Sequence, residues 1–319
     1  MLHVVHHPDY MAPRPERGTF RFDKYRLVME ELAASGFPLA VHAAQAMPRE
    51  WLEAVHCPQY VEEVFTLAVP AHKERRIGFP VTAAIRDRVR HTNGGTWLAA
   101  TLAMRHGYAA NSAAGSHHAL HDCGAGYCVF NDLAVTANRL IAQGHARRVL
   151  VLDCDVHQGD GTASLLAGRE DVFTLSLHAE KNFPARKARS TLDVALPDGT
   201  GDAAYLAALE SAYLPALDRF RPDIVFYQAG VDPHGEDTLG RLALGDAGLE
   251  ARDRLAVGAA RQRGIPVASA LGGGYGPDPR VIAARHARSM LAMAAENARW
   301  PLPRDTRADG ERRAGFTRA

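Results

Sequence analysis

Three carboxylates and an imidazole crowd the segment Asp153-Cys154-Asp155-Val156-His157-Gln158-Gly159-Asp160-Gly161. Asp155 and His157 are two apart, so on extended backbone their side chains face the same way. An aspartate oxygen and a histidine nitrogen on one face suit a divalent metal. Other segments supply the rest of a reaction centre: Ser116-His117-His118-Ala119 with Gly124–Asp132 behind it, Gln228-Ala229-Gly230-Val231-Asp232, and Leu271-Gly272-Gly273-Gly274-Tyr275-Gly276. Asp155, His157 and Asp232 together offer two oxygens and one nitrogen. Three protein ligands leave a position for water, the catalytic pattern rather than the structural one. A bound divalent ion brings the pKa of water from about 15.7 to about 7. A base must take the released proton and an acid must protonate the leaving group, work that adjacent His117 and His118 can share. Each imidazole needs a partner to fix its tautomer, and Asp153 and Asp160 are the unassigned carboxylates of the loop. Tyr275 follows three glycines, on a loop able to approach closely, and offers a phenol to an oxyanion. The chemistry described is metal-assisted hydrolysis of an amide.

Taken singly, each segment also fits a plainer role. A His-His pair is commonly a surface or satisfied polar contact. Asp155 and Asp160 suit a helix cap or a turn, with a helix starting near Gly161-Thr162. Asp232 in Val231-Asp232-Pro233-His234-Gly235 suits a turn. Gly272-Gly273-Gly274 lacks the Lys-Ser/Thr that would make it a phosphate cradle. Cys123 and Cys128 have no second thiolate pair, so small buried residues explain them better than zinc does. The convergence of the segments, rather than any one of them, carries the chemical reading.

Convergence needs a scaffold. The apolar run Val149–Leu152 reads as a buried parallel strand, with Arg147-Arg148 before it and glycines after it. Similar strands are expected at Leu2–His6, Gly107–Asn111, Val149–Asp153, Val172–Leu177, Ile224–Gln228 and Val267–Leu271. Helices are expected near Phe22–Ser35, Pro58–Ala68, Gly95–His106, Asp132–Gln143, Ala203–Phe220, Asp246–Arg263 and Asp278–Glu296. In Ala203–Phe220 the residues Leu206, Leu209, Tyr213 and Leu217 form a core-facing stripe. Strand–helix alternation along the whole chain argues an α/β fold with one doubly wound, mostly parallel sheet flanked by helices. In such sheets ligands gather at the carboxyl ends of the strands, where these segments fall. Residues 1–298 are expected to form a single catalytic domain, and the Arg-rich, turn-rich residues 299–319 a mobile tail.

Composition excludes several classes of function. The chain has 319 residues, is 47% hydrophobic and carries a formal charge of +1. That supports a large core and gives no electrostatic case for nucleic acid. No apolar run approaches a membrane span, and residues 1–10 lack the basic-then-apolar order of a signal peptide. Four cysteines in so long a chain suggest free thiols in a reducing cytoplasm. Oligomeric state leaves no mark.

With these motifs in order, the chain resembles the histone deacetylase family of the arginase–deacetylase superfamily, over about residues 1–297. It is most similar to class IV deacetylases and their bacterial relatives, through His157-Gln158-Gly159 in place of His-His-Gly and through the spacing of Tyr227–Asp232 and Gly235–Gly240. The resemblance implies zinc held by Asp155, His157 and Asp232, although Fe(II) is also accepted by an Asp–His–Asp set. It implies His118 as general base and then acid, His117 as its electrostatic neighbour, Asp153 paired with His117 and Asp160 with His118. Tyr275 would hydrogen-bond the substrate carbonyl. Gly126 would line an acyl-lysine tunnel whose aromatic walls are Tyr127 and Phe183. Asp153 and Ser176 would be side-chain ligands of a potassium ion behind the zinc.

The chain departs from the family twice. Phe is usual where Tyr127 stands, so the tunnel wall gains a polar tip. The rim aspartate that anchors peptide backbone has no match among residues 70–95. The expected activity is removal of acetyl or longer acyl groups from N-ε-acyl-lysine, in a protein or peptide; the alternative is deacetylation of polyamines or other small acyl-amines. An arginase-type ureohydrolase would need carboxylates for a second metal, but Gln158 and Gly159 follow His157. A module that binds acyl-lysine without turnover would have lost a ligand, the histidine pair or the tyrosine, and all are present.

Overall fold

The computed structural model describes residues 1–13 and 20–301. The strands are β1 (Leu2–His6), β2 (Leu39–Ala43), β3 (Tyr108–Asn111), β4 (Val149–Asp153), β5 (Val172–Ala179), β6 (Leu192–Leu196), β7 (Ile224–Gln228) and β8 (Val267–Ala270). They form one sheet in the order β2-β1-β3-β8-β7-β4-β5-β6, with every pair parallel. Strands β4 and β7 are buried at every residue, as sheets covered on both faces require. That is why each reads as a short continuous apolar run.

The helices are α1 (Lys24–Ala34), α2 (Arg49–Glu53), α3 (Pro58–Phe65), α4 (Ala71–Ile77), α5 (Ala83–His106), α6 (Asp132–Ala142), α7 (Asp160–Leu165), α8 (Asp202–Phe220), α9 (Asp246–Gln262) and α10 (Pro279–Ala298). Helices α1, α10, α9 and α8 pack on one another in that order, while α5 packs on α6 and along β1, β3 and β8. The expected strands and long helices are present with small shifts at their ends. Three differences have physical causes. The edge strands β2 and β6, half-exposed and interrupted by His42 and Asp193, lack the apolar run that marks the inner strands. Helices α2 and α4 are too short to show a period. Helix α5 starts twelve residues before the expected Gly95, at Ala83, because Gly94-Gly95 does not end it. Those glycines instead admit neighbours: a Cβ on Gly94 would stand 1.7 Å from Gln45 O, and one on Gly95 1.9 Å from Tyr10 Oη.

Strands β3, β8, β7 and β4 are consecutive in the sheet. The His117-His118, Tyr275, Asp232 and Asp155–His157 segments follow these same strands, so all emerge side by side at one edge. Of the expected tail, Trp300 is anchored: its Nε1 donates to Glu296 Oε1 at 3.1 Å and its carbonyl accepts from Arg261 at 2.7 Å. Residues 302–319 of that tail lie outside the described residues.

Candidate active site

The β4 and β7 loops bring Asp155, His157 and Asp232 together, with donor atoms within 4.8 Å of one another and all three side chains buried. His157 Nδ1 stands 3.0 Å from Asp155 Oδ1 and 3.2 Å from Asp232 Oδ2. Backbone amides take the outer oxygens: Gly273 N–H donates to Asp155 Oδ2 at 2.7 Å, and Val156 N–H to Asp232 Oδ1 at 2.8 Å. Asp232 Oδ2 is left buried without a hydrogen-bond partner among the described residues. Gly273 has to be glycine, since a Cβ there would lie 2.0 Å from that same oxygen.

The electrostatics of the cluster call for a cation. Burial, then the neighbouring Asp155, push the Asp232 carboxyl up. Burial alone would also raise Asp155, but His117 and His157 hold it well below the usual carboxylate range. Burial disfavours charge on His157, yet its two carboxylates outweigh burial and raise it. Two carboxylates, a nitrogen and one orphaned oxygen fit a divalent ion.

The histidine pair lies beside this cluster on the loop after β3. His117 Nδ1–H donates to Asp153 Oδ2 at 2.7 Å, and His118 Nδ1–H to Asp160 Oδ1 at 2.7 Å. Both pairings expected from the sequence are therefore formed. The two imidazoles differ in charge. Burial is outweighed by Asp153 and Asp155 at His117, which is pushed up to about 9. At His118 burial and the neighbouring His117 prevail over Asp160, and its value falls to about 4. The surroundings thus favour charge on His117 and the neutral ring at His118, whose Nδ1–H is given to Asp160, leaving Nε2 as the acceptor.

His118, His157 and Tyr275 close the inner end of a cavity of about 320 Å³, whose sides include Ile77, Gly126, Tyr127, Phe183 and Leu239. The Tyr275 ring centroid is 6.2 Å from that of His157 and 5.9 Å from that of Tyr127. Burial, followed by Asp155 and Asp232, raises the Tyr275 phenol well above its ordinary value, so it stays a donor. Phe183 stands edge-on to His118 at 4.8 Å. Gly126 and Tyr127 form the tip of a two-residue hairpin between Ala125 and Cys128, both with positive φ (52° and 67°). Ser176 is the cross-strand neighbour of Asp153, and its hydroxyl lies 3.0 Å from His178 Nδ1. Gln158 is turned from the metal cluster: its amide nitrogen donates to Ala188 O at 2.9 Å and Asp193 Oδ1 at 2.7 Å.

Sequence reasoning missed the groups that hold these loops. Asp132 accepts from Ser116 N at 2.7 Å and Gly115 N at 3.1 Å, fixing the turn before His117. Asp237 accepts the amides of Leu239, Gly240 and Tyr275 at 2.8, 2.8 and 2.6 Å. Arg252 on α9 is fully buried and donates to Cys154 O at 3.2 Å and Gly230 O at 2.6 Å. Asp132 and Asp237 lay inside motifs already singled out; Arg252-Asp253, within an otherwise ordinary helix, gave no signal.

Residues 19–292 match the histone deacetylase domain. The chain is 43% identical to an uncharacterised protein of Picosynechococcus, covering 92% of this chain and 98% of that one. It is 32% identical to a probable deacetylase of Methanothermobacter thermautotrophicus, covering 86% of each. Its fold superposes on the crystal structure of an acetylpolyamine aminohydrolase from Burkholderia pseudomallei with a TM-score of 0.77 at 23% identity, over 93% of this chain and 99% of that one.

Proposed function

The chain belongs to the histone deacetylase family and is a hydrolytic deacetylase, and from that premise we propose that it removes acetyl or longer acyl groups from N-ε-acyl-lysine with the aid of zinc. The observation that carries this reading is the convergence of the Asp155–His157–Asp232 cluster, the His118–Asp160 pair and Tyr275 on the inner end of one tunnel. Asp155, His157 and Asp232 would hold the ion. When bound, it supplies Lewis acidity and makes a water molecule more acidic. His118 accepts the water proton at Nε2, because Nδ1–H is committed to Asp160 and the ring is neutral at pH 7. The same Nε2–H then protonates the departing lysine amine. His117, oriented by Asp153, stabilises negative charge gathering beside it. Tyr275 donates a hydrogen bond from its phenol O–H, keeping the proton, to the carbonyl oxygen as that oxygen becomes anionic. Gly126, Tyr127 and Phe183 border the alkyl stem and exclude water. Asp153 and Ser176, adjacent across β4 and β5, are the side chains we assign to a structural potassium ion.

Gln158 supports a single-ion centre, because its amide is spent on Ala188 and Asp193. The free thiols of Cys57, Cys123, Cys128 and Cys154 suit the cytoplasm, and no described helix is long and apolar enough to cross a membrane. Hydrolysis of an acetyl-lysine peptide by zinc-loaded protein tests the proposal. His118→Ala should lower kcat about 10²- to 10⁴-fold and Tyr275→Phe about 10²- to 10³-fold, with metal retained in both. Full activity of His118→Ala would overturn the mechanism.

A further inference from the structure

A second cavity, of about 380 Å³, shares Tyr275 and Leu239 with the tunnel. Pockets of this size take small ligands or single side chains. Its wall is largely apolar, built from Phe20, Pro277, Pro279 and Ile282, but Lys24 opens onto it. Lys24 is 4% exposed. Its ammonium stands 5.4 Å from the ring centres of Phe20 and Tyr25 and 5.7 Å from that of Tyr275. It makes no hydrogen bond or ion pair with another described residue. Three rings stabilise a cation through their faces but accept none of its three N–H groups as a carboxylate would, and a buried charge without a counter-ion is costly. The other cation of this wall, Arg21, is paired with Asp23 at 2.7 Å. Among the described residues no carboxylate lines either cavity, whereas Arg76 lines the tunnel.

We propose that this cavity receives a carboxylate carried by the substrate beside its acylated amine, so that the enzyme selects acyl-lysine flanked by an acidic residue. The proposal rests on the deacylase reading above. Lys24 lies one ring beyond Tyr275, and Tyr275 touches both cavities. Leu239, 42% exposed, borders both cavities and sets their openings side by side. A residue adjacent to the acyl-lysine has its Cα only about 3.8 Å from that of the lysine, so a flanking glutamate stands beside the second opening while the acyl-lysine fills the tunnel. Acylated polyamines, which carry a further ammonium in place of the carboxylate, meet like charge from Lys24 and Arg76 and find no acidic partner among the described residues.

The test uses zinc-loaded protein and three acetyl-lysine peptides that differ only in one flanking residue, Glu, Gln or Lys, together with N-acetylputrescine. The glutamate peptide should exceed the lysine peptide in kcat/KM by about tenfold, and added salt should narrow the gap. Lys24→Gln should abolish the glutamate-to-glutamine ratio and Lys24→Arg should restore most of it. Equal rates on the glutamate and lysine peptides, a ratio that survives Lys24→Gln, or faster turnover of N-acetylputrescine would each overturn the proposal. Should Lys24→Gln fail to fold, the salt dependence of the wild-type ratio decides. Calorimetric binding of the same peptides separates the two readings. Glutamate-selective binding without hydrolysis would sink the deacylase reading and leave the subsite standing. Hydrolysis without charge preference would sink the subsite alone.

Discussion

Gly126→Ala is a one-carbon change whose consequence can be worked from the structure. Gly126 is the first central residue of the Ala125–Cys128 hairpin, at φ 52°, and an alanine in that left-handed region costs about 1 kcal/mol. The new Cβ would stand 2.7 Å from His118 Cδ2 and 3.1 Å from Phe183 Cε1. Carbon atoms rest at about 3.5–4.0 Å, so roughly 1 Å must be found. The turn cannot simply retreat, since Gly126 N–H and Tyr127 N–H are bonded to Arg76 O and Ile77 O at 3.1 and 2.7 Å. Phe183 is 44% exposed and can swing outward, but His118 is buried and tied to Asp160 at 2.7 Å. The strain therefore falls on the imidazole that moves the proton. A misplacement of about 1 Å costs on the order of 10²-fold in rate. We expect kcat/KM on an acetyl-lysine peptide to drop about 100-fold, stability in urea to fall by only about 1–2 kcal/mol, and metal content to stay unchanged. A variant within twofold of wild type on that peptide would refute the placement of Gly126 against His118 at the tunnel floor.

Other outcomes follow from the same geometry. Elemental analysis should find one catalytic transition ion per chain, lost in Asp232→Ala; a stoichiometric manganese pair would overturn the single-ion centre. The half-exposed trio His7, Asp9 and His91 should not add an ion, because its imidazoles are stacked at 3.9 Å and 6°, so their in-plane lone pairs do not converge. Burial lowers His56 to about 4, against about 6.5 in the unfolded chain. Between those values the unfolded state binds the proton and the folded state does not. Stability should thus be fully present above about pH 6.5 and decline toward pH 4, by about 3 kcal/mol from this residue. Urea midpoints across that range should fall less steeply in His56→Gln, and equal slopes would contradict the assignment. Arg252→Met leaves Asp253 buried and unpaired, so it should cost about 3–5 kcal/mol of stability and weaken metal binding roughly 10- to 100-fold. Unchanged affinity in a folded variant, read by competition with a chelator, would show that Arg252 does not hold the ligand loops.

What the sequence disclosed followed burial. Val149–Leu152 and Ile224–Tyr227 are covered on both faces, so their residues are apolar in unbroken runs and the strands are readable. Leu39–Ala43 and Leu192–Leu196 lie at the sheet's edges, where one neighbour and partial solvent cover suffice, and their mixed composition resembles loop. Gly94-Gly95 misled for another reason: a glycine pair that ends one helix lets another approach Gln45 and Tyr10, and only the packing tells the cases apart. The reaction centre was legible because its aspartates, histidines and tyrosine fall together at four strand ends that the topology makes adjacent. The aromatic surroundings of Lys24 were not legible, since they join residues of the first helix to a loop some 250 positions away.

The loops that carry the chemistry are rich in glycine and alanine, and so have few side chains with which to pack themselves. Each is held instead by a charged group that is neither a metal ligand nor part of the acid–base set. Asp132 opens α6 and grips Gly115 and Ser116; Asp237 grips the amide of Tyr275; Arg252 grips the carbonyls of Cys154 and Gly230 while paired with Asp253 at 2.8 Å. Asp253 in turn accepts from Tyr227 Oη at 2.5 Å and from the Ser289 hydroxyl, which joins β7, α9 and α10. Burying such charges is expensive unless they are paired and hydrogen-bonded, and here much of that pairing comes from backbone groups that the loops would otherwise leave unpaired, while Arg252 Nη2 has only its ion pair with Asp253. One interaction thus satisfies both requirements and fixes the direction of the ligand-bearing backbone. Asp155 follows Cys154, and Asp232 lies two residues beyond Gly230, so a shift of either carbonyl moves a metal ligand directly. The helix layer behind the sheet therefore sets the geometry of a centre that its own side chains do not touch.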